Sequence, residues 1–317
     1  MKKIPAILAI AALSVGFSAL ALPAQAAPPA LPEGDSLVNL SCDETLTRLF
    51  TVDAATGGAT AAGEAGVDNY CGYSTSWDVT TGTLYGFTWD EDPELYTFDL
   101  TTGAATLVAD ILDAEGNEVG AYTMAIGVDG EGYVYGASDS GYGLYSLELS
   151  TGLATLLGPI ENVNDAYGFA VDPQTGVLYL LNSDGDLFQI DPLAVTATPV
   201  ASWTFTSVGY DTYGLAIDNA GTAWVVEYPG EGAYSALYST PLATFGVDPQ
   251  LSGNIVDVDT SIDYSSWWVS LVWPADVAAP APALAATGFD AAPLALGGIL
   301  LAAAGVVLVS RRTRHAV

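Results

Sequence analysis

The chain is 317 residues long and 50% hydrophobic, and it carries 37 acidic side chains against six basic ones and one histidine, for a net charge of −31 at pH 7. Between Ala27 and Thr287 the only basic side chain is Arg48; Lys2, Lys3, Arg311, Arg312, Arg314 and His315 all lie at the two ends. This alphabet excludes nucleic-acid binding and adsorption to an anionic membrane, which need Lys and Arg against phosphate, and it excludes Ser-His-Asp or Cys-His centres, His- or Cys-rich zinc sites and lysine Schiff bases.

Carboxylates, hydroxyls and aromatic rings remain. Carboxylates in number suit calcium or a glycosidase pair, and in the plainest case they only keep the protein from self-associating.

Lys2 and Lys3 precede an apolar stretch from Ile4 to Leu22, and Ala24-Gln25-Ala26 is a small-residue cleavage site. Residues 1–26 therefore read as a secretory signal peptide, followed by an N-terminal segment at 27–45. Cys42 and Cys71 are the only cysteines. In an exported protein such a pair reads as a disulfide, with two buried thiols as the alternative. Closing a loop of about 30 residues would contribute roughly 3–4 kcal/mol in the chain-entropy model.

Residues 46–274 repeat. One half-unit is Leu-aromatic-x-apolar-acid: Leu49-Phe50-Thr51-Val52-Asp53, Leu95-Tyr96-Thr97-Phe98-Asp99, Leu144-Tyr145-Ser146-Leu147-Glu148 and Leu187-Phe188-Gln189-Ile190-Asp191, with a worn copy at Leu237-Tyr238-Ser239-Thr240-Pro241. The other half-unit ends in an aspartate, then a turn and an apolar strand. Its anchors Asp78, Asp129, Asp172 and Asp218 are 51, 43 and 46 residues apart. Short alternating strands at a period of about 46 residues, with no helical periodicity, predict an all-β β-propeller of four-stranded blades. The repeat opens on the Leu49 half alone and closes on a divergent first half from Ile262-Asp263 to Val272-Trp273. Five blades follow, the last closed by N- and C-terminal strands. In architecture the chain resembles the NHL, YVTN and WD-repeat group of propellers, without their Gly-His…Trp-Asp motif, and this carries no function with it.

With strands a to d counted outward from the channel, the a–b and c–d turns share one face. Their acids open tight turns and serve as local acceptors. The b–c and d–a loops share the other face, and their acids need another reason. Asn182-Ser183-Asp184-Gly185-Asp186, with Asp165 and Asp211 at the channel mouth, is the candidate metal site, for Ca²⁺. Further acids expected on this rim are Asp68, Asp90, Glu91, Asp92, Glu94, Asp139, Glu227, Glu231, Asp257 and Asp259. Most repeated aromatics, such as Tyr85, Tyr135, Tyr179 and Trp224, are expected in the core between blades.

An Ala/Pro linker at 275–283 leads to Leu284-Ala285-Ala286-Thr287-Gly288, an apolar run from Ala291 to Val309, and a basic tail. The run is about 29 Å long as a helix, enough for a transmembrane span with its arginines on the cytoplasmic side. This order at 284–317 resembles the sorting signal of sortase-anchored Gram-positive surface proteins, in its LAxTG variant. The resemblance implies cleavage between Thr287 and Gly288 and transfer to peptidoglycan, so sortase and the cell wall are the expected partners. A retained single-span anchor is the plainer alternative. The functional expectation is a cell-wall-anchored binding module for an unknown extracellular or envelope ligand. The alternative is an extracellular carboxylate- or calcium-dependent hydrolase of glycosidase or lactonase type, and a passive envelope component is a third reading.

Overall fold

The computed structural model describes residues 36–42, 47–67, 74–88, 93–138, 141–203, 211–228, 235–257 and 271–274. The signal peptide, the linker at 275–283 and the sorting signal, Leu284 to Gly288 included, lie outside these residues. So does Cys71, and with it the expected bridge to Cys42.

The described chain is a five-bladed propeller of four-stranded sheets. It opens with β1 (Ser36–Cys42), β2 (Thr47–Asp53) and β3 (Gly58–Glu64), which belong to blade 5. Blade 1 follows as β4 (Ser74–Asp78), β5 (Thr83–Phe87), β6 (Glu94–Phe98) and β7 (Ala105–Asp110). Blade 2 is β8 (Ala121–Ile126), β9 (Gly132–Ser138), β10 (Gly141–Leu147) and β11 (Ala154–Pro159). Blade 3 is β12 (Ala166–Val171), β13 (Leu178–Asn182), β14 (Asp186–Asp191) and β15 (Thr196–Ser202). Blade 4 is β16 (Asp211–Ile217), β17 (Thr222–Tyr228), β18 (Ala236–Pro241) and β19 (Gln250–Asn254). The last strand, β20 (Val256–Asp257), pairs in parallel with β3 on the outer edge of blade 5.

The ring is closed by N- and C-terminal strands as expected, but the two ends contribute unequally. The N-terminal segment supplies β1 as strand b of blade 5, so three strands come from the N-terminus. The C-terminus supplies the innermost position through Val272, which is paired antiparallel with Val38. In register with the other inner strands, the anchor position of blade 5 falls on Pro274, after Leu271-Val272-Trp273, and not on Asp263. Asp263 itself lies outside the described residues.

Blades pack face to face, so the repeat buries both sides of every strand. The Leu-aromatic pair of strand c shows how. Adjacent strand residues point to opposite faces. Leu95 enters the cluster with Met124 and Val134 of blade 2, while Tyr96 enters the cluster with Leu40 and Leu49 of blade 5. Leu187 and Phe188, and Leu237 and Tyr238, divide in the same way. Five apolar clusters result, one at each junction.

The turn acids sit where the repeat puts them, with one shift. Asp78 accepts from the Thr80 N–H at 2.8 Å, Asp172 from Gln174 N–H at 2.9 Å and Asp218 from Ala220 N–H at 2.8 Å. The backbone turn that Asp218 makes with Thr222 is made in blade 2 by Gly127 with Glu131, so Gly127 and not Asp129 is the structural anchor. Asp129 compensates from two residues on. Its Oδ1 stands 2.6 Å from the point a Cβ would occupy on Gly127.

Candidate functional site

The channel is closed toward the turn face. Trp77, Val79, Val128, Phe169, Leu215, Leu271 and Trp273 line a cavity of about 40 Å³ there. That holds at most a few waters. Gly168 and Gly214 let neighbouring inner strands approach: a Cβ on Gly168 would lie 2.8 Å from the Leu215 Cβ, and one on Gly214 would lie 3.1 Å from the Leu271 Cβ. The turn-face acids are occupied in their own turns, Asp53 by Ala55 and Thr56, Asp99 by Thr101 and Thr102, and Asp191 by Leu193 and Ala194. The Thr102 and Thr101 N–H groups hold the Asp99 carboxyl below its ordinary value.

The loop face is where the sequence places the acids, and the backbone does gather part of the predicted set. Ser183 N–H donates to the Asp165 carbonyl at 2.8 Å, and Thr212 N–H donates to the Ser183 carbonyl at 3.3 Å. The Asn182–Asp186 loop, Asp165 and the Asp211-Thr212 start of β16 therefore meet at one side of the channel mouth. The side chains of Asn182, Asp186 and Asp165 instead turn to nearer donors. The Asn182 Oδ1 accepts from Asp186 N–H at 2.7 Å, closing its own loop. The Asp186 carboxylate accepts from the Ser202 hydroxyl at 2.5 Å, and Asp165 accepts from the Tyr142 hydroxyl at 2.8 Å. Asp184 is exposed. Asp211 opens β16 opposite Tyr228. Among the described residues no three acidic, Cys or His side chains come together as a metal-binding group.

The other rim acids divide. Glu94 accepts from the Tyr96 hydroxyl at 2.5 Å. Glu227 is not on the rim at all: it is 0% exposed and accepts from the Trp203 indole N–H at 2.7 Å. Asp257 closes β20. Asp68, Asp90, Glu91, Asp92, Asp139, Glu231 and Asp259 lie outside the described residues.

A second set of residues stands at the mouth that the acid count did not bring out. The a–b pairing slips between Ala121 and Thr123, between Ala166 and Gly168, and between Thr212 and Gly214. The residue left over in each case is a tyrosine: Tyr122, Tyr167 and Tyr213. A β-bulge takes its extra residue out of the strand's two-residue alternation. Tyr122 and Tyr167 are half-buried. The Tyr122 ring lies 5.6 Å from that of Tyr142, edge on, and Tyr142 stacks at 5.3 Å on the buried Tyr135. The Asp165 carboxylate receives the Tyr142 hydroxyl and pushes that phenol up to about 12. Asp165 itself is held at a left-handed φ of 44°, a conformation Asp tolerates better than most residues. The signal was present in the sequence as a second repeat, Asp165-Ala166-Tyr167-Gly168 and Asp211-Thr212-Tyr213-Gly214, with Tyr122 in register and Tyr73 at the same place in the blade 1 sequence.

No family model matches the chain, and neither does any curated protein. Solved structures are similar in fold only. A structural-genomics protein of unknown function from Bacteroides thetaiotaomicron is 12% identical over 76% of this chain and 62% of its own, with a TM-score of 0.47. The extracellular domain of a putative hybrid two-component system from the same organism is 16% identical, over 76% and 36%, with a TM-score of 0.36. A quinonprotein alcohol dehydrogenase-like protein, also from that organism, is 11% identical, over 69% and 54%, with a TM-score of 0.35. The chain thus spans less than two thirds of the length of each.

Proposed function

We propose that this chain is a wall-displayed binding module that takes its ligand on the loop face, at the mouth of the channel. The observation that carries this reading is the repetition of a tyrosine on the same β-bulge in three successive blades, Tyr122, Tyr167 and Tyr213, beside Asp165 and Asp211. Loops on a rigid scaffold are the usual seat of binding. At the turn face the channel end is filled by apolar side chains, and Asp53, Asp99 and Asp191 cap their own turns. Export and sortase attachment follow from the two end segments of the sequence.

The mouth offers rings and acceptors without a cation. The described basic side chain, Arg48, is paired with Glu64 at 3.8 Å. Anionic ligands are therefore disfavoured, and neutral polyhydroxylated or cationic ones fit. A hydrolase would need two carboxylates opposed across a cleft. The rim carboxylates of Asp165, Asp186 and Glu94 instead take donors from their own or neighbouring blades, and Glu227 is buried beneath the rim with the Trp203 indole N–H.

The test is a binding screen of the purified protein against neutral glycans and cationic peptides, repeated with Tyr122→Ala and Tyr167→Ala. Binding that falls at least tenfold in these variants, with an unchanged melting transition, supports the reading. Binding that survives both substitutions, or turnover of a bound substrate, overturns it.

A further inference from the structure

Both ends of the propeller leave on the same face. β1 begins at Ser36, which pairs with Asp53 in the c–d turn of blade 5, so the chain enters from the turn face. Val272 runs antiparallel to β1. The chain therefore exits toward the turn face too, through Trp273, which lines the channel cavity beside the turn residues Val79, Val128 and Pro173.

From this geometry we infer that the tethered propeller stands with its turn face toward the wall and its loop face outward. The inference rests on the sortase attachment proposed above. From Pro274 the chain has 13 residues to Thr287. A flexible linker of that length has a root-mean-square span of about 20 Å, and an extended Ala/Pro one reaches about 40 Å. A domain of this size has a radius of gyration of about 18 Å and so an outer radius of about 23 Å; a linker leaving the far pole must travel about 70 Å around the body to reach the wall. The tether is too short to turn the propeller over. Tyr122, Tyr167, Asp165 and the Asn182–Asp186 loop then face away from the cell. The partner this display fits is one that arrives from outside, in solution or on another surface, and not the wall polymer beneath.

The lack of lysine between Ala27 and Thr287 supplies the test. Asp184→Lys places a unique side-chain amine on the exposed loop-face tip, and Asn219→Lys places one on an exposed a–b turn. Intact cells are treated with a bulky amine-reactive polymer, the protein is released by wall digestion, and labelling is read by mass spectrometry against the unsubstituted chain. The expected result is Asp184→Lys labelled on cells nearly as fast as in released protein, with Asn219→Lys at least fivefold slower on cells and equal after release. Equal labelling on cells, or faster labelling at 219, overturns the inference. Recovery in the membrane or the medium, with none bound to the wall, overturns the attachment reading and this inference with it. If either variant lacks the parent melting transition, Asn164→Lys on the loop face and Leu193→Lys on a c–d turn replace the pair.

Discussion

Gly152, in the c–d turn of blade 2, lies so close to the end of β7 in blade 1 that a Cβ on it would stand 2.1 Å from the Asp110 carbonyl oxygen. The same contact recurs around the ring. A Cβ on Gly103 would meet Gly63 at 2.6 Å, one on Gly246 would meet Ser202 at 2.2 Å, and one on Gly57 would meet Asn254 at 2.7 Å. All four turn glycines also have positive φ. Gly152→Ala is therefore expected to cost about 2–4 kcal/mol, from left-handed strain and overpacking together. This corresponds to a fall in melting temperature of about 4–16 °C for a domain of this size. Gly116→Ala is the control: its φ is 84°, with nothing within 4 Å. It should cost about 1–2 kcal/mol from strain alone. Calorimetry that ranks the two variants equally would remove the contact from the account.

Blade 3 breaks this rule. Val195 stands at the turn position with a φ of 52°, and its side chain lies against Gly158 of blade 2. A β-branched residue is badly placed there. Val195→Gly relieves strain of about 1–2 kcal/mol and loses a half-buried side chain, so it should fall within about 1 kcal/mol of neutral. Urea denaturation measures this directly, and a loss above about 2 kcal/mol would mean that Val195 is not strained.

The two kinds of turn aspartate should separate under mutation. Asp218 is 7% exposed and accepts from Ala220 N–H, Thr222 N–H and the Trp224 indole at 2.8, 2.8 and 3.1 Å. Asp218→Ala leaves those donors without an acceptor and is expected to cost about 2–4 kcal/mol. The Trp224 emission should shift as the indole loses its partner. Asp129 is exposed and receives one N–H, from Glu131, at 3.2 Å. Asp129→Ala should cost under about 1 kcal/mol, although the sequence gives the two aspartates the same rank.

That contrast shows what a sequence of this kind reveals. The five-fold ring was legible because each blade buries both faces, so the Leu-aromatic pair must recur on period wherever strand c passes between neighbours. That both termini close the last blade was legible too, but not that β1 joins it, because β1 lies ahead of the repeat and the partner of Val38 lies more than two hundred residues away. The anchor of blade 2 was misplaced by two residues for a related reason: a carboxylate at 129 fills the space of one at 127, and spacing alone cannot distinguish them. At the mouth, counting acids found Asp165 and Asp186, and with them the loop that opens on Asn182, whose side chains turned to local donors. It also counted Glu227, which is buried under Trp203. The bulge tyrosines escaped notice because a bulge breaks the period-two alternation by which strands are recognised.

Tyr142 and Asp165 give the loop face a pH signature. The neutral phenol donates to the carboxylate, so the folded state holds the phenol at about 12 against an ordinary 10.0. Burial first, and then Glu94 and Glu131 respectively, raise Tyr96 and Tyr133 as well. Between pH 10 and 12 the folded protein thus binds more protons than the unfolded chain, and its stability must fall as pH rises through that window. Below pH 10 the contribution is fully present. Urea midpoints measured at pH 9, 10 and 11 should decline, and Tyr142→Phe should make the decline shallower. An absorbance titration of the folded protein should show fewer phenols ionising near pH 10 than of the urea-unfolded chain. If the folded and unfolded titrations coincide, the Tyr142–Asp165 hydrogen bond does not persist in solution.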